Sequence, residues 1–299
     1  MSYTTLISAE QLQALMASGQ QLRVFDCSFD LMQPHAGEQQ YLAAHIPGAV
    51  YADLDTALSA RHGVPGAHGV LTASGADAPA SGGRHPLPNR ERFATWLSSV
   101  GMGNEMQAVV YDRNGMNYCG RLWWMLKWAG HENVAVLDGG LQAWQAAGGR
   151  VSSGEEPTHF QSNFLVKPPL ATLVDARVVS AQLGRPSQTL IDARAAQRFK
   201  GEVEPMDPVA GHIPGALNRP FGHNFTSGGQ FKPPAQLKAE FTALLGQRDP
   251  ATVVHHCGSG VSALPNLLAM EIAGLGRSAL YAGSWSDWCS DPARPVAQG

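Results

Sequence analysis

The chain has 299 residues, 44% hydrophobic and 15% charged, enough apolar material for two domains with separate cores; a disordered or fibrous protein is excluded. A net charge of -3 offers no basic field for a phosphate backbone, so nucleic acid is not an expected partner. No apolar stretch reaches membrane-spanning length and MSYTTLISAEQLQAL carries no secretory pattern, so a cytoplasmic protein with no membrane association is expected.

In chain order, periodicity and caps predict a helix from about Ser8, a strand over LRVFDC (22–27), a Gly/Ala/Pro/Ser-rich surface loop over 61–88 and a helix opening near Asn89. A strand at AVVYD (108–112), a helix at GRLWWMLKWAG (120–130) and a strand at NVAVLD (133–138) complete the first half. After a polar, proline-bearing stretch the order returns: TLIDAR (189–194), a helix over 233–246, TVVHH (252–256), a helix at SALPNLLAMEIAG (262–274) and RSALYA (277–282). Alternating strands and helices imply an α/β fold in which each half is a mostly parallel sheet covered by helices on both faces.

The return is an internal repeat. His45-Ile46-Pro47-Gly48-Ala49 recurs 167 residues later as His212-Ile213-Pro214-Gly215-Ala216, and Val24-Phe25-Asp26 matches Leu190-Ile191-Asp192. Downstream, Val109-Val110 matches Val253-Val254 and Trp144 matches Trp288, both at an offset of 144; the surplus of the first half falls in the 61–88 loop. The domains are therefore drawn as 1–148, a linker 149–170, and 171–299. Both HIPGA motifs are expected to be structural turns.

Ligands of parallel sheets sit beyond the carboxyl ends of strands. There, ATVVHH runs into Cys257-Gly258-Ser259-Gly260-Val261-Ser262 ahead of a helix. The glycines let the backbone curl so that N–H groups and the helix N-terminus surround the sulfur, an arrangement that stabilises a thiolate or an anionic persulfide. The alternative, a cysteine that merely packs, is the expectation for Cys27, Cys119 and Cys289, which form no CxxC pair or zinc-ligand spacing and suit a reducing cytoplasm. The first half has Arg113 where the second has Cys257, so only the second half has this nucleophile. His255 and His256 are adjacent strand residues facing opposite ways, and no metal site or cofactor is expected. Trp123, Trp124 and Trp128 fall at helical spacing and are expected in packing.

Both HIPGA motifs, the cysteine loop, Gly139-Gly140-Leu141-Gln142-Ala143-Trp144 and Gly283-Ser284-Trp285-Ser286-Asp287-Trp288 together resemble the tandem-domain rhodaneses, with an inactive first domain and a catalytic second. Within that family CGSGVSA resembles the loop of 3-mercaptopyruvate sulfurtransferases; thiosulfate enzymes carry basic residues where Gly258 and Ser259 stand. Cysteine phosphatases of the HCxxGxxR type are the neighbouring pattern, but Ala263 replaces the arginine that clamps a phosphoryl group.

The resemblance implies residue roles. Cys257 would take sulfur as a persulfide, with Gly258, Gly260, Val261 and Ser262 forming the cradle. Ser259, His85 and Asp55 match a proposed proton relay, with an ordinary solvated histidine as the other reading of His85. Arg198 matches the arginine that grips the substrate anion, whereas Arg194 reads as a structural salt-bridge partner. A second substrate arginine of the animal enzymes is missing, Met206 and Asp207 standing in that stretch. Trp285 either lines the pocket rim or packs.

The implied activity is transfer of sulfur from 3-mercaptopyruvate through Cys257 to cyanide or to a thiol acceptor such as a small thiol or a thioredoxin-like protein. The alternatives are a thiosulfate sulfurtransferase using the same cysteine and a non-catalytic sulfur-carrier or binding module.

Overall fold

The computed structural model describes residues 2–60, 78–157 and 160–299. The rest, including 61–77 of the expected surface loop and Thr158 and His159 of the expected linker, lie outside the described residues. The chain divides into two compact units: Met1–Ser59 with Asn89–Leu170 and Ser227–Phe231, and Ala60–Pro88, as far as it is described, with Ala171–Thr226 and Lys232–Gly299.

The first unit contains β1 (Leu6–Ile7), α1 (Ala9–Ala17), β2 (Leu22–Asp26), α2 (Ala36–Ala43), β3 (Val50–Tyr51), α3 (Arg90–Ser99), β4 (Gln107–Tyr111), α4 (Cys119–Trp128), β5 (Val134–Leu137) and α5 (Gly140–Ala146). The second contains β6 (Leu173–Val174), α6 (Ala176–Ala181), β7 (Thr189–Asp192), α7 (Ala196–Lys200), β8 (Leu217–Asn218), α8 (Pro234–Leu245), β9 (Val253–His256), α9 (Leu264–Ile272), β10 (Ala279–Tyr281) and α10 (Ser284–Trp288). Each unit holds a five-stranded sheet, ordered β1-β5-β4-β2-β3 and β6-β10-β9-β7-β8. Every described pairing within them is parallel, as alternating strands and helices require.

Local chemistry fixes the element ends. Ser8 caps α1 through a reciprocal capping box with Gln11, and the Asn89 and Asp175 side chains accept N–H groups at the starts of α3 and α6. One face of the first sheet buries Val24, Val109, Tyr111, Ala135 and Leu137 with Leu12 and Leu15 of α1 and Leu141 and Trp144 of α5. The opposite face carries Phe25, whose ring lies 5.8 Å from that of Trp96 on α3. In the second unit Leu190, Val254 and Tyr281 pack with Val179, Trp285 and Trp288. This two-sided burial follows from strand residues alternating between faces.

The HIPGA motifs are turns in both units. Gly48 and Gly215 adopt φ of +76° and +80°, where a side chain would be strained. His45 bonds Tyr41 O at 2.8 Å and stacks on the Tyr41 ring, and His212 does the same with Phe199 O at 2.7 Å and the Phe199 ring. Trp123, Trp124 and Trp128 are buried on α4, the last two stacked at 5.7 Å.

The expectation of a surface loop fails for its last residues. His85, Pro86, Leu87 and Pro88 are buried, and Ala60 N–H donates to Pro86 O while Arg84 N–H donates to Ser286 Oγ. A stretch from the first half of the sequence thus belongs to the second unit.

Candidate active site

The end of β9 lies between β7 and β10, so Cys257 leaves the middle of the second sheet. The chain then bends through 258–263 before α9 begins at Leu264, with Pro265 in its first turn. Gly260 has φ +76°, and a Cβ there would collide with Ala282 O, so only glycine fits. Cys257 is 2% exposed; its N–H donates to Ser284 Oγ at 3.1 Å, and its Sγ lies 4.0 Å from that hydroxyl. Ser284 is itself held at φ +55°, an uncommon region for a residue with a side chain, and gives no local sequence signal of this role.

The first unit supplies an internal control for the loop. At the offset of 144, Asp112 matches His256, and the N–H groups of Asn114, Met116, Tyr118 and Cys119 match those of Gly258, Gly260, Ser262 and Ala263. In the first unit the Asp112 carboxylate accepts all four, at 2.8 to 2.9 Å. Burial raises the Asp112 carboxyl, and these four donors oppose that shift. In the second unit His256 brings no carboxylate, and among the described residues no protein group accepts the N–H of Gly258, Ser259, Ser262 or Ala263. The left-handed residue is retained, Met116 at φ +57° matching Gly260. Amide donors of Gly258, Ser262 and Ala263, without the internal carboxylate that their counterparts bind, are of the kind that can receive an external anion.

Charge is rearranged in parallel. Arg113, at the cysteine position of the first unit, places Nη2 2.6 Å from Asp26 Oδ2 and donates also to Ser28 Oγ and to the carbonyls of Gln40 and Ala44. In the second unit Asp192, which matches Asp26, is instead paired with Arg194 at 2.7 Å, as expected of a structural arginine. Arg194 also bonds Glu204 at 3.3 Å and Gly211 O at 2.7 Å. Burial pushes the Asp192 carboxyl up, but His256 and Arg194 outweigh it and hold the group below its ordinary value. Burial lowers the His256 imidazole, with Asp192 opposing. His255 faces the other way, its Nε2 3.2 Å from Met270 Sδ on α9.

Two predicted members meet: His85 Nδ1 and Ser259 Oγ share a 2.7 Å hydrogen bond, both residues buried. This removes the solvated reading of His85. Asp55 belongs to the first unit, where its N–H donates to Asp53 Oδ1 at 3.0 Å. Arg198 lies against the loop: a Cβ added to Gly258 would stand 3.6 Å from Arg198 Nη1. A residue that sequence reasoning missed joins it. Arg84 Nη2 would lie 3.4 Å from the same point, so two guanidiniums occupy the space beside Gly258. The only local signal was its place next to His85.

Val261 is buried and accepts Leu264 N–H, and Ser262 lies in the turn before α9. Trp285 is corrected from the rim to the core. It is fully buried, its Nε1–H donates to Val209 O at 2.9 Å, and the Arg194 guanidinium stacks 4.7 Å from the ring centroid. The other cysteines are buried and free. Burial pushes Cys27 and Cys119 well up and Cys289 to about 11, which keeps them as thiols.

A family model described as "Rhodanese-like domain" matches residues 8–147 and 175–291. Over all of both chains the sequence is 45% identical to a protein of Pseudomonas aeruginosa named probable 3-mercaptopyruvate sulfurtransferase. It is 36% identical to a putative thiosulfate sulfurtransferase of Mycobacterium tuberculosis, over 98% of this chain and 97% of that one. Among solved structures, the 3-mercaptopyruvate enzyme SseA of Escherichia coli superposes with a TM-score of 0.76 at 28% identity, covering 95% of this chain and 99% of that one. Among the described residues, no helix is long and apolar enough to cross a membrane.

Proposed function

The chain belongs to the rhodanese family, and on that premise we propose that its second unit transfers sulfur from 3-mercaptopyruvate through a persulfide on Cys257. The observation that carries this is a difference between the two loops: three of the donors that bind the Asp112 carboxylate in the first unit have counterparts, the N–H groups of Gly258, Ser262 and Ala263, that meet no protein acceptor among the described residues and follow directly on Cys257. The Cys257 thiolate attacks the donor sulfur, an S–S bond forms, and the C–S bond breaks with its electron pair passing to the enolate of pyruvate. Ser259, relayed by His85, supplies the proton that turns the enolate into pyruvate. A thiol then attacks the outer sulfur, leaves as a persulfide and returns the Cys257 thiolate.

Arg198 and Arg84 hold the donor's carboxylate against Gly258. The second arginine of the animal pattern is thus replaced by one from another part of the chain. Around them Arg84, Arg194 and Arg198 are balanced by Asp192, Glu204 and Asp207. A site with so little surplus positive charge suits a singly charged carboxylate better than the thiosulfate dianion. The acceptor is a small thiol or a thioredoxin-like protein, and four free thiols suit a cytoplasmic setting.

The test compares kcat/KM for 3-mercaptopyruvate and for thiosulfate on the purified chain. We expect the first to be larger, and a marked thiosulfate preference would sink the donor assignment.

A further inference from the structure

Asp207 stands in the stretch where the animal pattern has its second arginine, and its side chain is almost wholly buried. Its two oxygens are divided between two cations, Oδ1 lying 2.6 Å from Arg84 Nη1 and Oδ2 3.3 Å from Arg198 Nη2. These are the guanidiniums that flank Gly258. Glu204 fixes the segment: its Oε1 accepts the N–H of Met206 at 3.0 Å and of Asp207 at 3.2 Å, and lies 2.6 Å from Arg198 Nη2. Asp207 therefore aligns a two-armed fork and cancels one of its charges.

We propose that Asp207 determines donor specificity, setting the Arg84–Arg198 fork to accept a singly charged carboxylate and to discriminate against doubly charged sulfur oxyanions. The inference rests on sulfur transfer at Cys257. With three guanidiniums facing three carboxylates, losing one carboxylate leaves a surplus positive charge beside Gly258. A dianion gains about twice as much from that surplus as a monoanion does, because the energy scales with the charge product. Loop-borne charge is absent, Gly258 having no side chain and Ser259 being taken up by His85. The balance is set from the 204–207 segment instead.

Asp207→Asn removes the charge and keeps an oxygen acceptor and the side-chain volume. Steady-state kinetics are measured with thiosulfate, 3-mercaptopyruvate and 1-mercaptopropan-2-one, a neutral keto thiol. The ratio of kcat/KM for thiosulfate over 3-mercaptopyruvate is expected to rise about tenfold, with the neutral donor changed by less than about twofold. An unchanged or lower ratio, or an equal loss with all three donors, overturns the proposal, the second result leaving Asp207 a structural brace. If the variant does not fold, the wild-type chain still decides: pyruvate is expected to inhibit at lower concentration than sulfate, and stronger inhibition by sulfate overturns the proposal. Absence of a Cys257 persulfide in the wild type would instead remove sulfur transfer itself, an outcome distinct from a flat donor ratio.

Discussion

The strand-end loops 113–119 and 257–263 occupy the same place in two sheets of the same order, yet one is filled by its own side chains and the other is left for a ligand. In the first, Asp112 occupies the amide cradle and Arg113 lies where a nucleophile would stand, its guanidinium held by Asp26, Ser28 and two carbonyls. In the second, His256 brings no carboxylate to the cradle, Cys257 takes the arginine's position, and the counter-charge of Asp192 moves to Arg194. A buried carboxylate at the end of the central strands is neutralised in both units; only the origin of the cation differs. Moving it two residues along from the aspartate is what makes room for a thiol. The fold supplies the donors, and the contents of the loop decide whether they bind part of the protein or part of a substrate.

The contrast can be broken at several points. Cys257→Ser is expected to lower kcat/KM with either donor by more than about a thousandfold, whereas Arg113→Cys should create no second reactive thiol, because Asp112 still occupies the cradle. Activity surviving the first change, or sulfur appearing on residue 113 after the second, would contradict the comparison. His85→Gln should cost roughly a hundredfold in kcat with 3-mercaptopyruvate and much less with thiosulfate, which releases sulfite and needs no proton on carbon; equal losses would show that His85 only positions the loop. Arg113→Ala leaves Asp26 without its cation and should destabilise the chain by roughly 3–5 kcal/mol in urea unfolding. A change under about 1 kcal/mol would make that ion pair dispensable.

Acid should separate the units more gently. Burial holds His255 down to about 3, so between pH 6.5 and 3 the unfolded chain binds a proton that the folded one refuses. The contribution is fully present above pH 6.5 and is lost as the pH falls, about 2 kcal/mol by pH 5. Asp112 in the first unit works in the opposite sense: its raised carboxyl binds the proton more tightly when folded, so stability is gained as the pH falls toward the ordinary carboxylate range. Amide exchange at pH 7 and pH 5 should show β9 losing protection before β4, and His255→Leu should remove part of the slope. Equal slopes in the two strands would refute this.

Sequence periodicity revealed the long strands, the principal helices and the repeat, because β2, β4, β7 and β9 each centre on adjacent apolar residues, Val24-Phe25, Ala108-Val109-Val110, Leu190-Ile191 and Val253-Val254. It did not reveal β1, β3, β6 and β8, two-residue strands too short to show a period, or brief helices such as α7 and α10. Cys257 and its glycines were legible because their chemistry is local. Arg84 was not, since it reaches Asp207 across 123 residues and nothing near it announces a binding role. The Asp112 cradle was missed for a different reason. A carboxylate next to an arginine reads as an ion pair, while this one serves four backbone donors and the arginine turns to Asp26. Trp285 misled in the other direction, its place beside the loop suggesting a rim where the chain builds core.

The most direct measurement is mass spectrometry of the peptides after the reduced protein is incubated with 3-mercaptopyruvate and quenched without acceptor. One added sulfur, about 32 Da, is expected on the Cys257 peptide and on none of those containing Cys27, Cys119 or Cys289. A Cys257 peptide of unchanged mass, or sulfur carried on one of the other three, would contradict the assignment of the second loop as the sulfur carrier.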